Sequence, residues 1–263
     1  MDWFCLSFLP AWIERARDSK GFGFYDLLDE NASPLQEDRR TVLAQSRLLF
    51  TFSHLALISG SPVFHDAARV ARDALQAFQK ASGSFGRARS GDKQLTGKAD
   101  DNLALSYDQS FVILGLATWG RLNPDDNINP ELEACWLAIQ NKLTDSETGL
   151  LLEHDNLPDP AHPEAPRRAQ NPHMHLYEAT LQAYEMTGRP IWLERAKQLR
   201  AKGLEYFLDL KTGTIVEFIA PDLSTLEGRN GQRREIGHQC ECCLLYTSPS
   251  PRDQRGSRMP SSA

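Results

Sequence analysis

The chain has 263 residues, of which 41% are hydrophobic and 24% charged, and its net charge at pH 7 is −6. This composition is ordinary for a globular protein with a sizeable core. The acidic balance provides no basic stripe to meet phosphates, so we expect no nucleic-acid partner. No apolar run reaches the roughly 18 residues of a membrane helix, so we expect no membrane partner.

The N-terminal segment from Met1 to Pro10 is apolar, but Asp2 stands where a signal peptide needs positive charge. We therefore expect a core helix here and not a targeting segment. The cysteines are odd in number and follow no disulfide spacing, which favours a cytoplasmic location. They are Cys5, Cys135, Cys240, Cys242 and Cys243.

Turn glycines recur along the chain at Gly23, Gly83, Gly149 and Gly213, with spacings of 60, 66 and 64 residues. Each leads into a short stretch with β propensity. The intervals between them have helical periodicity, and each predicts two helices. The predicted helices are Arg40–Ile58, Val63–Lys80, Ala104–Trp119, Pro130–Leu143, Pro172–Met186 and Trp192–Phe207.

Helical hairpins at a fixed period are typical of a solenoid or an α/α toroid, so the fold class is all-α. In a toroid, inner helices are apolar nearly all round and outer helices are amphipathic. Arg40–Ile58 fits an inner helix, and Trp192–Phe207 fits an outer one.

Three polar groups stand out on helices that otherwise look buried. Arg47 lies in mid-helix among apolar neighbours, where a buried guanidinium needs a structural carboxylate or a substrate oxygen. Asn171, His175 and Glu178 are spaced to share one helix face, although Asn171 before Pro172 also suits a helix cap.

The third group is His238 with Glu241, three residues apart, a spacing that lets a carboxylate orient an imidazole. Metal readings are weaker, because His173 and His175 diverge on a helix and Cys240, Cys242 and Cys243 match no common zinc spacing. No metal site is therefore predicted.

The same period connects these groups. Arg47, Tyr107, His175 and His238 are separated by 60, 68 and 63 residues. We therefore expect the four to occupy equivalent inner positions around one toroid axis. Because the spacing of these four residues matches the repeat, we expect a shared pocket on the axis, and four separate structural roles are less favoured.

Four motifs, taken in order, resemble the N-acylglucosamine 2-epimerase superfamily. They are Gln45-Ser46-Arg47, Tyr107-Asp108-Gln109-Ser110-Phe111, Asn171-Pro172-His173-Met174-His175 and Gly237-His238-Gln239-Cys240-Glu241. The Asn-Pro-His-Met-His form is most similar to the mannose-isomerase-like branch, and the resemblance covers roughly residues 10 to 241.

The resemblance implies an (α/α)6 barrel with a sugar on its axis and no required metal or cofactor. It implies that His238, supported by Glu241, transfers protons, and that Asn171 and His175 hold or open the sugar. Arg47 would bind substrate oxygens, Tyr107 would line the pocket, and Gln109 is a weaker substrate-binding candidate. The implied reaction moves a proton at C2 of an aldose through an enediolate.

Six hairpins of this length need roughly 380 residues, so we expect residues 1–241 to form an incomplete (α/α)6 barrel. Residues 242–263, rich in Pro, Ser and Arg, are expected to be an unrelated tail. The resemblance also implies a second proton-transferring histidine, which would lie beyond the part of the family that this chain covers. We therefore expect this chain to be poorly folded and inactive. A homodimer is an expectation for the full-length protein only.

Other functions remain open at this point. An N-acylglucosamine or cellobiose 2-epimerase, or an isomerase of sulfo- or phosphosugars, would use the same residues. A glycoside hydrolase with an α/α toroid would need two carboxylates, for which Asp26, Asp108 and Glu153 are candidates. A helical-repeat binding scaffold would carry no catalytic group.

Overall fold

A computed structural model describes residues 3–35, 39–157 and 165–242 of the chain. The fold is mostly helical, as predicted. The longer helices are α1 (Leu9–Ala16, after one π-helical turn at Phe4–Phe8), α2 (Val42–Ser59), α3 (Pro62–Leu75), α4 (Ser106–Leu122), α5 (Asn129–Lys142), α6 (Asn171–Thr187) and α7 (Pro190–Phe207). Two shorter helices follow, α8 (Gly228–Gln232) and α9 (Ile236–Cys242).

Each of the six predicted long helices is confirmed, with shifts at the ends. Arg40 lies in a strand and not in α2, because Thr41 is extended and caps the helix by accepting from the backbone N–H of Ala44. The helix predicted to reach Lys80 ends at Leu75 and passes into a 3₁₀ turn at Gln76–Phe78.

The strands are short, and all pair antiparallel. β1 (Arg39–Thr41) pairs with β2 (Ala88–Ser90), β3 (Arg168–Ala169) with β6 (Phe218–Ile219), and β4 (Leu208–Asp209) with β5 (Thr214–Ile215). Since β1 and β3 directly precede α2 and α6, these pairs link the start of an inner helix to the next repeat along the chain.

The helices form two curved layers. α2, α4 and α6 lie side by side in the inner layer, and α3 and α7 pack behind α2 and α6. Gly115 permits the close contact of α4 with α2, since a Cβ there would stand 2.8 Å from the carbonyl oxygen of Ser46. α9 continues the inner layer, with Cys242 Sγ 3.3 Å from Met174 Sδ of α6. This arrangement is part of an α/α toroid.

The predicted turn glycines are confirmed. Gly23, Gly83, Gly149 and Gly213 all have positive φ, which glycine adopts without a steric penalty. An antiparallel pair closes around each turn, and the pairs are Arg17 with Phe24, Gln79 with Phe85, Thr144 with Leu151, and Leu208 with Ile215.

A side-chain clamp fastens each of these turns to its inner helix. Gln45 of α2 accepts from the backbone N–H of Phe24 (3.0 Å) and donates to its carbonyl oxygen (2.9 Å). Gln109 of α4 makes the same two bonds to Phe85. Gln239 of α9 makes them to Ile215.

On α6 the clamp residue is His173, which accepts from the backbone N–H of Leu151 through Nε2 (2.8 Å). Its Nδ1 has no hydrogen-bond partner in the described part of the chain. Burial lowers the pKa of His173 to about 3, so the imidazole is neutral. The four clamps lie at Gln45, Gln109, His173 and Gln239, with spacings of 64, 64 and 66 residues, and they define the structural register of the repeat.

An ion pair recurs with the same register. An aspartate before the turn glycine meets an arginine before the inner helix in the pairs Asp18–Arg40 (2.9 Å), Asp145–Arg168 (2.8 Å) and Asp209–Arg234 (3.6 Å). The second repeat carries Lys80 in place of the aspartate, and Lys80 pairs with Asp155.

The N-terminal segment is helical, but the prediction that it is a core helix is wrong for its first turns. Trp3 and Leu6 are 69% and 75% exposed, and only Ile13 and Ala16 of α1 are buried. In the first turn, Trp3 and Phe4 both pack on the ring of Phe8, whereas Cys5 packs against the core.

α2 is long and apolar enough to cross a membrane by length and composition, with a mean hydropathy of 1.3. The helix nevertheless carries Gln45, Ser46 and Ser53 on its buried side. It packs between α3 and α4, and this packing accounts for its apolar character.

Candidate active site

Three inner helices bring polar and aromatic side chains together near their N-terminal ends. The Arg47 guanidinium donates to the Tyr107 hydroxyl (3.1 Å) and lies 4.2 Å from the ring centre of Phe111. The His175 ring packs against both aromatic rings, with centroid distances of 5.2 Å to Tyr107 and 5.1 Å to Phe111. α2, α4 and α6 thus contribute to one cluster, as predicted for a shared site.

The expectation that Arg47 is buried is wrong. Arg47 is exposed, because it lies on the concave face of α2, while the buried residues Ser46 and Leu49 face the neighbouring helices. A solvated guanidinium needs no structural carboxylate, and its bonding partners here are the Tyr107 hydroxyl and the Phe111 ring. It is therefore free to bind oxygen atoms of a ligand.

Tyr107 is half-buried, and burial raises its pKa, an effect that Arg47 opposes. The hydroxyl therefore remains protonated at neutral pH. It can donate a hydrogen bond to a ligand while it accepts one from Arg47.

His175 meets Glu178 of the same helix, with Nδ1 3.2 Å from Oε2. The predicted sharing of a face by these two residues is confirmed. Asn171 is the first residue of α6 and not its cap, because Gln170 occupies the cap position. The Asn171 Oδ1 is buried without a hydrogen-bond partner in the described residues, and it remains available as an acceptor beside the cluster.

The prediction that the four site residues occupy equivalent positions is wrong for Tyr107 and His238, each of which lies about one helical turn before the equivalent position. Relative to the clamps, Arg47 and His175 lie two residues on, and the equivalent positions are Phe111 and Glu241. Tyr107 lies one helical turn before Phe111, and it reaches the cluster because residues four apart share a helix face.

Gln109, the weaker substrate-binding candidate, does not line the site. Its side chain has 0% exposure, and both ends of its amide are hydrogen-bonded to the backbone of Phe85. Without exposed surface it cannot meet a substrate, and the fold explains its presence fully.

His238 has a different carboxylate partner from the one predicted. Its Nδ1 lies 2.8 Å from Oε2 of Glu217, which is 3% exposed and lies between β5 and β6. Glu241 is exposed and has no recorded hydrogen bond to His238 among the described residues. The i+3 spacing suggested Glu241, but α9 turns the imidazole toward Glu217.

Glu241 lies near the cluster in another way. Its charge and that of Glu178 both act on Tyr107 and raise the pKa of the hydroxyl further. Cys242, assigned to the predicted tail, is the last residue of α9 and is buried. Residues 243–263 lie outside the described residues, so the tail boundary stays a prediction.

The three carboxylates suggested for a hydrolase lie in different surroundings. Asp26 accepts hydrogen bonds from Thr41 at the start of α2, and Glu153 is exposed. Asp108 is 4% exposed in the first turn of α4, and burial raises its pKa to about 6. No hydrogen bond joins any two of these three side chains in the described structure.

The His173-x-His175 metal reading does not fit the geometry. His173 packs against Phe207 and bonds Leu151, whereas His175 faces Tyr107 and Phe111. Within residues 3–35, 39–157 and 165–242, no group of three or more His, Cys, Asp or Glu side chains is placed to hold a metal ion.

Known proteins share this fold over most of the chain. A mannose-6-phosphate isomerase of Rhizobium meliloti (strain 1021) is 27% identical over 248 residues, which are 90% of this chain and 59% of that protein. A crystal structure of D-mannose isomerase matches with a TM-score of 0.72 and 22% identity, covering 91% of this chain and 63% of the other. The cellobiose 2-epimerase of Spirochaeta thermophila DSM 6192 matches with a TM-score of 0.76 and 20% identity, covering 97% and 65%.

The chain thus spans less than two thirds of the length of each of these proteins. The family model of N-acylglucosamine 2-epimerase matches residues 23–259, which include the whole cluster, His238 and Glu217. The chain belongs to the N-acylglucosamine 2-epimerase family.

Proposed function

We propose that the protein is a sugar isomerase that acts at C2 of an aldose, most simply by converting mannose to fructose. The observation that supports this best is the cluster of Arg47, Tyr107 and His175, in which hydrogen-bond donors and an imidazole surround two aromatic rings. Such a combination suits a neutral polyhydroxylated ligand, whose apolar face packs on rings while its hydroxyls bond polar groups.

The proposed reaction starts from the open-chain aldose. The imidazole of His238 removes the proton from C2, and the electrons of the broken C–H bond form a C1=C2 double bond. The former carbonyl oxygen becomes an enediolate oxygen, which needs donors at hydrogen-bond distance. The O2 proton then moves to O1, and the imidazolium returns its proton to C1, so that C2 becomes the ketone of the ketose.

The other residues hold the substrate in this proposal. Arg47 and the Tyr107 hydroxyl donate to sugar oxygens, and Arg47 offsets the enediolate charge. His175 and Asn171 bind the sugar near the start of α6 and assist ring opening. Glu241, which lies near Tyr107, closes the same face of the site.

Isomerisation of mannose is favoured over 2-epimerisation by three sequence relatives, which are 25–30% identical to this chain. They are described as mannose-6-phosphate isomerase and D-mannose isomerase. Epimerisation would require a second base on the opposite face of C2. A phosphorylated sugar is a second candidate, because Arg47 is exposed and pairs with no carboxylate in the described structure. A cytoplasmic location and a homodimer of the full-length protein are further proposals.

The test is to follow D-mannose, mannose 6-phosphate, N-acetylglucosamine and a methyl mannoside in D₂O by NMR. The 263-residue chain and the product of the complete reading frame of its source gene are assayed in parallel. The proposal expects deuterium at C2 of recovered mannose and the appearance of fructose. Hydrolysis of mannosides without any exchange at C2 would contradict it and would favour a hydrolase.

A further inference from the structure

Glu217 is a buried carboxylate that the proposed reaction has not yet used. It is 3% exposed. It lies outside the four family motifs, the nearest of which begins at Gly237. A buried carboxylate is costly unless hydrogen-bond donors compensate its charge. The groups that hydrogen-bond to Glu217 therefore indicate its role.

Three polar groups converge on this carboxylate at the starts of two helices, α6 and α9. Oε2 lies 2.8 Å from His238 Nδ1 and accepts from Gln170 Nε2 at 3.2 Å. Oε1 accepts from the backbone N–H of Glu235 at 3.0 Å, just before α9. One carboxylate thus joins the residue that precedes Asn171 to the start of the helix that carries His238.

The backbone of Glu217 is fixed as well. Its carbonyl oxygen accepts from the backbone N–H of Gln170 (3.1 Å), and the next residue, Phe218, pairs with Ala169 in the β3–β6 ladder. The carboxylate is therefore held in place, independently of the exposed side chains around it.

The equivalent positions of the other repeats show that the fold alone does not require this contact. Asp26, Arg87 and Glu153 lie two residues after the clamped residue, as Glu217 does after Ile215. Among these four, the described structure shows a carboxylate on a histidine at Glu217 alone. Asp26 also accepts from a backbone N–H before its inner helix, that of Thr41, but it meets no histidine, and Glu153 is exposed.

We propose that Glu217 is the positioning residue of the proton-transferring histidine: it holds a proton on His238 Nδ1 and leaves Nε2 as the base. An ionised carboxylate only accepts hydrogen bonds, so the nitrogen facing it must carry the proton. The same carboxylate stabilises the imidazolium that forms when His238 takes the C2 proton. This inference rests on the proposed function for the identity of the reaction, but its structural part does not.

The structural part is tested by the tautomer of His238 in the 263-residue chain, read from its ¹⁵N chemical shifts and two-bond ¹H–¹⁵N couplings. The expected result is a protonated Nδ1 and an unprotonated Nε2 in the wild-type chain at pH 8. Glu217→Ala is expected to shift the proton to Nε2, the form that free histidine favours in water. Glu241→Gln, three residues from His238 on α9, is the matched control and is expected to leave the tautomer unchanged.

A wild-type His238 that carries its proton on Nε2 would overturn the inference, whether or not the variants fold. A tautomer shift in Glu241→Gln but not in Glu217→Ala would do the same. Glu217→Gln keeps one acceptor, which can still serve the backbone N–H of Glu235, and it turns an amide NH₂ toward His238 Nδ1 in place of the carboxylate oxygen. This variant therefore separates folding from tautomer control.

The catalytic part is tested by deuterium exchange at C2 of mannose. The protein used is whichever of the two assayed above, the 263-residue chain or the product of the complete reading frame, turns over mannose. Glu217→Gln is expected to lower kcat about 100-fold with little change in KM, as for other residues that orient an active imidazole. An unchanged kcat would overturn the positioning role. If no wild-type product exchanges C2 but the tautomer is as expected, the proposed function fails and the Glu217–His238 contact stands.

Discussion

Two faces of the same inner helices lie only two residues apart and differ in how strictly the repeat preserves them. The clamp face carries Gln45, Gln109, His173 and Gln239, each bonded to the backbone of its turn. The pocket face carries Arg47, Phe111, His175 and Glu241 at the equivalent positions. The repeat thus preserves the residues that close a turn, and it varies those that face the axis.

This difference follows from what each face must satisfy. A buried backbone N–H or carbonyl without a partner costs free energy in every repeat, so each helix needs a side chain of similar shape and bonding capacity. The concave face meets solvent at Arg47 and Glu241, and its side chains make no bond that closes a turn. Side chains there can differ from repeat to repeat and together form an asymmetric site.

Removal of a clamp should have the largest effect on stability. Gln109→Ala leaves the buried N–H and carbonyl groups of Phe85 unpaired and creates a cavity, so we expect the free energy of unfolding to fall by about 2–5 kcal/mol. Urea denaturation followed by circular dichroism measures it. Arg47→Ala, on the exposed face of α2, should cost less than about 1 kcal/mol.

Equal losses in Gln109→Ala and Arg47→Ala would break the comparison between the two faces. A Gln109→Ala variant as stable as the wild type would also contradict the comparison, because the amide would then not be a structural clamp.

The histidine clamp should make the fold sensitive to acid. The folded-state pKa of His173 is about 3, below its unfolded value of 6.5, so the unfolded state binds more protons between these values. Stability should therefore fall as the pH drops below 6.5, by about 2 kcal/mol at pH 5. His173→Gln restores the clamp of the other three repeats and removes this loss.

The measurement is the free energy of unfolding of both proteins from pH 7 to pH 4. The difference between them should grow in favour of His173→Gln as the pH falls. Parallel curves for the two proteins would show that His173 is not buried in its neutral form.

Asp108 is adjacent to a clamp and is not explained by it. Its folded-state pKa of about 6 lies above its ordinary value of 3.8, because burial disfavours the charged form. The folded state then binds more protons between these pH values, so stability should fall as the pH rises from 3.8 to about 6 and level off above it. Asp108→Asn should stabilise the protein above pH 6 by about 1–3 kcal/mol and have no such effect below pH 4.

Thermal unfolding of Asp108→Asn at pH 4 and pH 8 checks this effect. A stabilised variant that exchanges C2 more slowly would place Asp108 with the pocket face, since functional groups are often kept at a cost in stability. A destabilised variant at pH 8 would show that the carboxylate is satisfied in the folded state.

The sequence predicted the repeat, the helices and the three-helix cluster well. The glycine period and helical periodicity are local patterns, and the period also placed Arg47 and His175 on one face. The errors at Gln109 and Glu217 have a common cause. Whether an amide or a carboxylate faces the axis or the backbone of a turn depends on contacts between repeats, such as that of Glu217 with His238, and helical spacing carries no information on them.

The exposure of Arg47 could not be predicted for a similar reason. Apolar neighbours on both sides of a residue indicate burial only when every face of the helix is covered. The described structure leaves the concave face of α2 open to solvent at Arg47.

The most direct test of the two-face account replaces each of two histidines of α6, which lie two residues apart, with glutamine. His173→Gln and His175→Gln are compared for thermal stability and for deuterium incorporation at C2 of mannose, in the product that turns over this sugar. The account predicts that His173→Gln keeps both the fold and the exchange, whereas His175→Gln keeps the fold and loses exchange by about 100-fold or more. Loss of exchange in His173→Gln without loss of the fold, or full exchange in His175→Gln, would contradict it.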